Sequence, residues 1–274
     1  MAARTRPNVV GGTLGWLWLV FVLVPIYYIV VTSLRDRSTF WTENPLLPPA
    51  HPTLRAYGTV LENRFMLYFG NSAIVTVATT AIVVTICLMA AYYIVRSRTR
   101  LAQRSFSLIL LGLAIPLQAT IIPVYYMITR LHLYDTLLAL ILPSVAFAVP
   151  ITVLILVNFV RDVPRELFES MRVDGAGDWR MLGQLVLPLA RPAIITVAIY
   201  DALNVWNGFL FPLVLTQSTA TRVLPLSLWT YQGEFQTDTP AVLAAVVLSA
   251  LPIVVAYVLG RRQLVSGLTA GFGK

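Results

Sequence analysis

Long uncharged runs alternate with short polar segments along this chain, and the runs are apolar on every face rather than on one. Six runs approach the length that crosses a bilayer: 14–31, 73–95, 105–129, 137–160, 192–215 and 241–259. A crossing helix needs roughly 20 mostly apolar residues. Only the fifth run contains a charged side chain, Asp201. Hydrocarbon offers the backbone no hydrogen-bond partner, so helices and closed barrels are the structures that span it. A barrel would show apolar and polar residues alternating over about ten positions, and these runs do not alternate. The pattern predicts an all-α integral membrane protein with six transmembrane helices. The first run is followed by Thr32-Ser33-Leu34-Arg35-Asp36, with no small-residue cleavage site, so it reads as a retained anchor.

Composition agrees with this pattern. The chain is 58% hydrophobic and 12% charged, with a mean hydropathy of +0.77, whereas a soluble domain carries about 25% charge. The net charge of +8 points to orientation rather than to nucleic acid. With the N-terminus inside, fourteen of the 20 basic residues fall on inner segments. These are Arg4 and Arg6; Arg96, Arg98, Arg100 and Arg104; Arg161, Arg165, Arg172, Arg180 and Arg191; and Arg261, Arg262 and Lys274. Arg35, Arg37, Arg55, Arg64, Arg130 and Arg222 fall outside. The positive-inside rule then places both termini and the 161–191 segment in the cytoplasm. The expected layout is a cytoplasmic N-terminus (1–13), a membrane domain (14–262) and a cytoplasmic tail (263–274). Basic patches beside spans also suit the anionic lipid of the inner leaflet. The single cysteine, Cys87, lies within a span and excludes an internal disulfide; with His51 and His132 far apart in outside loops, no Cys/His metal site is expected. A buried apolar filler is the expected role of Cys87.

The most informative polar stretch lies between the fourth and fifth runs and holds five of the twelve acidic residues. Pro164 suits the first turn of a helix, and Asp162 and Glu166 favour its positive end. Leu167 and Met171, four apart, share a face. Gly175 can adopt positive φ and end the helix, and a second helix should start near Asp178 and run into the fifth span. Helix, glycine turn, helix, with a small apolar face among charges, makes a peg for a groove on a soluble partner. A solvated loop of mutually neutralising charges accounts for the same residues about as well.

The order of residues decides between these. Glu169-Ser170-Met171, two residues, then Asp174-Gly175-Ala176, followed by Leu182, Leu185 and Leu187-Pro188, resembles the coupling-loop motif of ABC importer permeases. Ser170 and Met171 stand where that motif has alanines, and Leu182 where phenylalanine is common. Asn71-Ser72, Ala90-Ala91-Tyr92 with Arg96, Trp206-Asn207 with Phe211-Pro212-Leu213, and the tail Gly267-Leu268-Thr269-Ala270-Gly271 before Lys274 are similar to the MalG-type permease subunits of carbohydrate ABC importers. The resemblance implies a type I importer permease fold with a cytoplasmic coupling helix in segment 161–188. It implies contact with ATP-binding subunits through Glu166, Leu167, Glu169, Ser170, Met171, Asp174, Gly175 and Ala176. It also implies the partners: a second homologous permease, two ATP-binding subunits that carry ATP and Mg, and an extracytoplasmic solute-binding protein, expected as a lipoprotein. Gln217, Ser218 and Thr219 are the candidate contacts for the binding protein. No Walker-type phosphate loop occurs in the chain, so no cofactor is expected on it and it is not expected to be an enzyme. Nineteen arginines against one lysine fit a GC-rich bacterial genome, and the expected location is the bacterial inner membrane.

Asp201 would lie roughly 14 Å into its span at 1.5 Å per residue, where an ionisable group marks a functional site by default. Asp201, Asn204 and Gly208 share a face with Asn207 at its edge, and Trp206 could stack on a sugar ring. The same side chains could instead hydrogen-bond between helices. An ion-gradient transporter is the rival class, and it would show internal repeats and several midplane charges. An intramembrane enzyme would need a cluster of catalytic side chains. Neither pattern is present in the sequence.

Overall fold

The computed structural model describes residues 9–97, 99–231 and 237–270. The terminal part of the tail signature, Gly271 to Lys274, lies outside these, as do Arg4, Arg6 and Arg98. In chain order the helices are α1 (Val9–Ser33), α2 (Arg55–Glu62), α3 (Phe65–Ser97), α4 (Arg100–Leu111), α5 (Ile121–Arg130), α6 (Leu137–Arg161) and α7 (Arg165–Val173). They continue with α8 (Asp178–Met181), α9 (Leu187–Leu189), α10 (Arg191–Trp206), α11 (Leu210–Leu215), α12 (Leu224–Ser227) and α13 (Thr239–Ala270). No strand ladder forms among the described residues.

Three helices, α1, α3 and α6, are long and apolar enough to cross a bilayer unbroken. The third and fifth predicted spans are not straight. Residues 100–114 and 117–130 form two arms bent by 97°. The cause is local. Proline drives its predecessor out of the helical region, and Ile115 (ψ 113°) and Pro116 (ψ 130°) are both extended. The fifth span is likewise bent by 76° between 178–189 and 191–206, at the Ala190-Arg191-Pro192 step, and it breaks again after Trp206. Counting each bent pair as one span gives five. The sixth prediction falls on α13, whose shorter apolar part is Thr239–Val255. By contrast α6 runs unbroken through Pro143 and Pro150.

The chain divides into two compact units, 1–66 with 228–251, and 67–227 with 252–274. In the first, most side chains of α1 face outward. The polar segment after it folds around Arg35, which is only 1% exposed. Its guanidinium donates to the carbonyls of Asn44 (2.6 Å) and Leu47 and lies 3.7 Å from Glu43. Helix α2 follows this segment, with Ala56 and Val60 buried. Trp41, 83% exposed, sits edge-on to Phe40, as suits headgroup-level aromatics.

Two buried clusters lie in the second unit among the described residues. One joins Val83, Cys87 and Ala91 of α3 to Phe106 of α4 and to Val153, Leu156 and Val160 of α6, and extends to Phe168, Met181 and Val197. Cys87 is completely buried there, as an apolar filler. The other joins Val75, Ile128, Leu140, Phe211 and Leu215. Gly112 passes close to α6: a Cβ at this position would lie 2.7 Å from Pro150 Cγ.

Candidate functional site

The segment after α6 is a short helix, a tight turn and a second helix. Helix α7 ends in a Schellman arrangement: the Ala176 N–H donates to the Met171 carbonyl (2.9 Å) and the Gly175 N–H to that of Arg172 (3.1 Å). That geometry needs a left-handed residue, and Gly175 has φ +77°. Gly177 N-caps α8. The ladder then widens to a π-helical stretch over Leu182–Val186, where the Leu187 N–H bonds the Leu182 carbonyl just before Pro188.

The side chain that fastens α7 is Phe168, 2% exposed. Its ring lies 6.4 Å from that of Tyr92, and the Arg96 guanidinium sits 4.5 Å over it. Tyr92 Oη donates to Asp178 Oδ1 (2.8 Å), and Arg172 pairs with the same oxygen at 3.4 Å. The C-terminal end of α3 thus holds both helices of the segment. Glu166, Leu167, Glu169, Ser170, Asp174 and Gly175 are exposed, Met171 is half-buried and Ala176 is buried. Phe168 is thus the residue that anchors α7 to the bundle, while Leu167, on the face expected to meet a partner, is left exposed. Two apolar side chains missed in the sequence, Val173 (87% exposed) and Trp179 (74%), flank the turn. No periodicity marks them, because each stands alone among polar neighbours.

Asp201 is 1% exposed and accepts from Thr152 of α6 at 2.9 Å. It borders a cavity of about 380 Å³ together with Ser144, Phe147, Asn204, Gly208 and Phe211. The Asn204 amide donates to the Tyr200 carbonyl. Asn207 donates to Leu203 and is exposed, and Trp206 is buried edge-on against Phe69 at 5.6 Å. Neither Trp206 nor Asn207 lines the cavity. The three residues of the expected stripe, Asp201, Asn204 and Gly208, therefore border one cavity together, whereas Asn207 at its edge and Trp206 lie outside it.

Gln217, Ser218 and Thr219 lie in the connection between α11 and α12, with Gln217 and Thr219 exposed. Asp135, in the turn before α6, is the residue that organises them. Its Oδ1 accepts from the Gln217 N–H (2.9 Å), the Ser218 N–H (3.0 Å) and the Thr221 hydroxyl. Asn71 Nδ2 donates to the carbonyls of Ala220 (2.8 Å) and Arg222 (2.9 Å), and Ser72 Oγ accepts from the Leu224 N–H (2.9 Å). Partial burial opposes the Asp135 charge, but its donors outweigh this and hold its pKa down at about 2.

Residues 82–263 match the family model described as the inner membrane component of binding-protein-dependent transport systems. The chain belongs to this family. The permease is 31% identical over 258 residues to a diacetylchitobiose uptake system permease of Streptomyces coelicolor, covering 93% of this chain and 85% of that one. It is 32% identical over 254 residues to a sulfoquinovosyl glycerol transport system permease of Agrobacterium fabrum, covering 92% and 89%. Among solved structures, a bacterial ABC transporter involved in importing the acidic polysaccharide alginate superposes with a TM-score of 0.83 at 21% identity, covering 96% of this chain and 99% of that one. The expected ABC importer permease and its all-helical fold are borne out, and the ion-gradient alternative finds no support among these relatives.

Two consequences for the permease can be measured. Gly175→Leu places a β-carbon in the left-handed region at a cost of about 1–2 kcal/mol. A Cβ there meets nothing within 4 Å, so the strain is purely conformational. Membrane insertion should stay at the native level while solute uptake falls, checked by immunoblot and initial uptake rate on the same cells. Normal uptake would count against a role for this turn.

Asp135→Ala should raise hydrogen exchange at the Gln217 and Ser218 amides by about tenfold, the loss of one charge-assisted hydrogen bond worth roughly 1.5 kcal/mol. The folded pKa is depressed, so this anchorage is present above the unfolded value of about 3.9 and is lost only as pH falls toward 2. Exchange at these amides, corrected for intrinsic rates, should therefore be flat between neutral pH and about 5.

Proposed function

We propose that the permease carries a sugar or sugar-like solute, as one of two homologous permeases driven by two separate ATP-binding subunits. The observation that carries the substrate class is the cavity beside Asp201. It combines a buried carboxylate and an amide, which can hydrogen-bond hydroxyls, with aromatic faces at Phe147 and Phe211 that suit a sugar ring. The names of the Streptomyces and Agrobacterium relatives, each a system for a sugar-containing solute, support the same class.

On this reading α7 docks in a surface groove of an ATP-binding subunit, presenting Glu166, Leu167, Glu169 and Ser170. Phe168 holds the helix to the bundle, so displacement of α7 is passed to α3 through Tyr92 and Arg96. ATP and Mg would reside on the partner; the permease supplies the lever. The distribution of arginine supports cytoplasmic termini and a cytoplasmic α7. The Gln217–Thr219 connection would then face an extracytoplasmic solute-binding protein.

The test is to purify the complex from its host, recover the binding protein and subunits that accompany it, and screen that binding protein for ligand-induced thermal shift. Stabilisation by a mono- or disaccharide, an amino sugar or a glycerol-linked sugar is expected. Stabilisation by amino acids or peptides alone would overturn the substrate class. Recovery of the permease without any ATP-hydrolysing subunit would overturn the coupling.

A further inference from the structure

A second cavity, of about 480 Å³, opens where the ends of α3 and α6 meet α4 and α7. Four helices each contribute a polar side chain to it: Arg96 from α3, Gln103 from α4, Arg161 from α6 and Arg165 from α7. No acidic side chain among the described residues lines it, and none of the three arginines is in an ion pair among the described residues. Arg96 Nε is buried and has no hydrogen-bond partner among the described residues. Two of the three are instead braced by rings: Arg96 lies 4.5 Å over Phe168, and Arg161 lies 5.4 Å over Phe106. Three guanidiniums thus line one cavity with no carboxylate among them; Arg96 is half-buried while Arg161 and Arg165 reach solvent, so an anion entering there meets three like charges at once. The ring contacts fix two of them in position without supplying a counter-charge.

The guanidinium fork matches the tetrahedral, multi-oxygen geometry of phosphate, which can accept from several donors at once. The rest of the lining is apolar, from Ile94, Val95, Val160 and Val163. These positions close the long apolar runs of α3 and α6, the level at which headgroups meet hydrocarbon. A free inorganic anion has no use for such walls, whereas a phosphodiester joined to glycerol and acyl chains meets both chemistries. Basic pockets between spans on the cytoplasmic side suit anionic headgroups for this reason.

We infer that this cavity binds the phosphate of an anionic phospholipid headgroup, which joins α7 to the ends of α3, α4 and α6. The site depends on neither the solute carried nor the identity of the ATP-binding subunits. A negative lipid result would leave the proposed function standing, and the reverse also holds.

The experiment is native mass spectrometry of the full-length permease in its purified complex, delipidated in detergent and titrated with phosphatidylglycerol or phosphatidylcholine. One tightly retained phosphatidylglycerol is expected, with no retained phosphatidylcholine. R161Q/R165Q should lower its occupancy by about tenfold, equivalent to the loss of one charge-assisted hydrogen bond. Arg104→Gln, on α4 but outside the cavity, should leave occupancy unchanged. A parallel arm adds millimolar inorganic phosphate. Persistence of the bound lipid supports a lipid source, and its displacement would assign the site to a soluble anion and overturn the proposal. Equal retention of both lipids, or indifference to R161Q/R165Q, would also overturn it. If the double variant does not fold, Arg165→Gln alone, on a helix where it is solvent-exposed, gives the same readout with the same decisive outcomes.

Discussion

Phe168→Ala is expected to destabilise the permease by about 3–5 kcal/mol, the usual cost of truncating a buried aromatic ring. The ring is 2% exposed, is packed near Tyr92 and is covered by the Arg96 guanidinium. Its removal leaves a void at the base of α7 and also strips a cation–π contact worth roughly 0.5–2 kcal/mol. The melting temperature in detergent should fall by on the order of 10 °C, and uptake should fall to a small residue even in membranes that retain the protein. Leu167→Ala is the informative control. Leu167 is exposed, so its truncation should change stability by no more than about 0.5 kcal/mol. A larger loss from Leu167→Ala than from Phe168→Ala would show that α7 is anchored by the opposite face.

That contrast marks where the sequence is legible and where it is not. Turn chemistry is local, so the left-handed role of Gly175 is legible from the residues around it. Phe168 is not legible in this way, because i, i+4 apolar spacing singles out Leu167 and Met171 instead. A single aromatic between two charged residues produces no period, although it is the one that faces the bundle. Asp135 is not legible either, for a different reason. The backbone groups it binds lie more than 80 residues away along the chain, and nothing near Asp135 announces them. The resemblance did flag Asn71-Ser72, and the structure supplies a physical role for the pair: it holds the far side of the same connection through Ala220, Arg222 and Leu224.

The bends of the spans are not legible in the apolar runs, and the reason is general. Apolar length measures how much chain can lie in hydrocarbon but says nothing about direction. Proline was present in the third, fourth and fifth runs alike, yet α6 passes through Pro143 and Pro150 without a break, whereas Ile115-Pro116 turns the chain by 97°. The difference lies in packing. Several positions of α6 around its prolines are buried among neighbours on both sides, so tertiary contacts hold the helix in line. No residue of Gly112–Ala114 or Leu117–Thr120 is buried, and there the local preference of the residue before proline prevails.

Asp201→Ala is expected to lower the initial rate of solute uptake by about ten- to a hundredfold, the equivalent of one hydrogen bond to a charged group at roughly 1.5–3 kcal/mol. The carboxylate has two jobs open to it. One oxygen accepts from Thr152, which ties α10 to α6. The group also borders the cavity with Asn204, where a solute hydroxyl could donate to it. Packing and transport separate in a pair of variants. Thr152→Val removes the interhelical donor but leaves the carboxylate at the cavity, so if Asp201 serves the solute, uptake should fall only a few-fold. If the carboxylate is only a tie between helices, Thr152→Val and Asp201→Ala should lower both uptake and membrane level together. Equal membrane levels with a selective loss of uptake in Asp201→Ala are expected. Unchanged uptake kinetics in that variant would remove Asp201 from the translocation path and leave its carboxylate only the tie to Thr152.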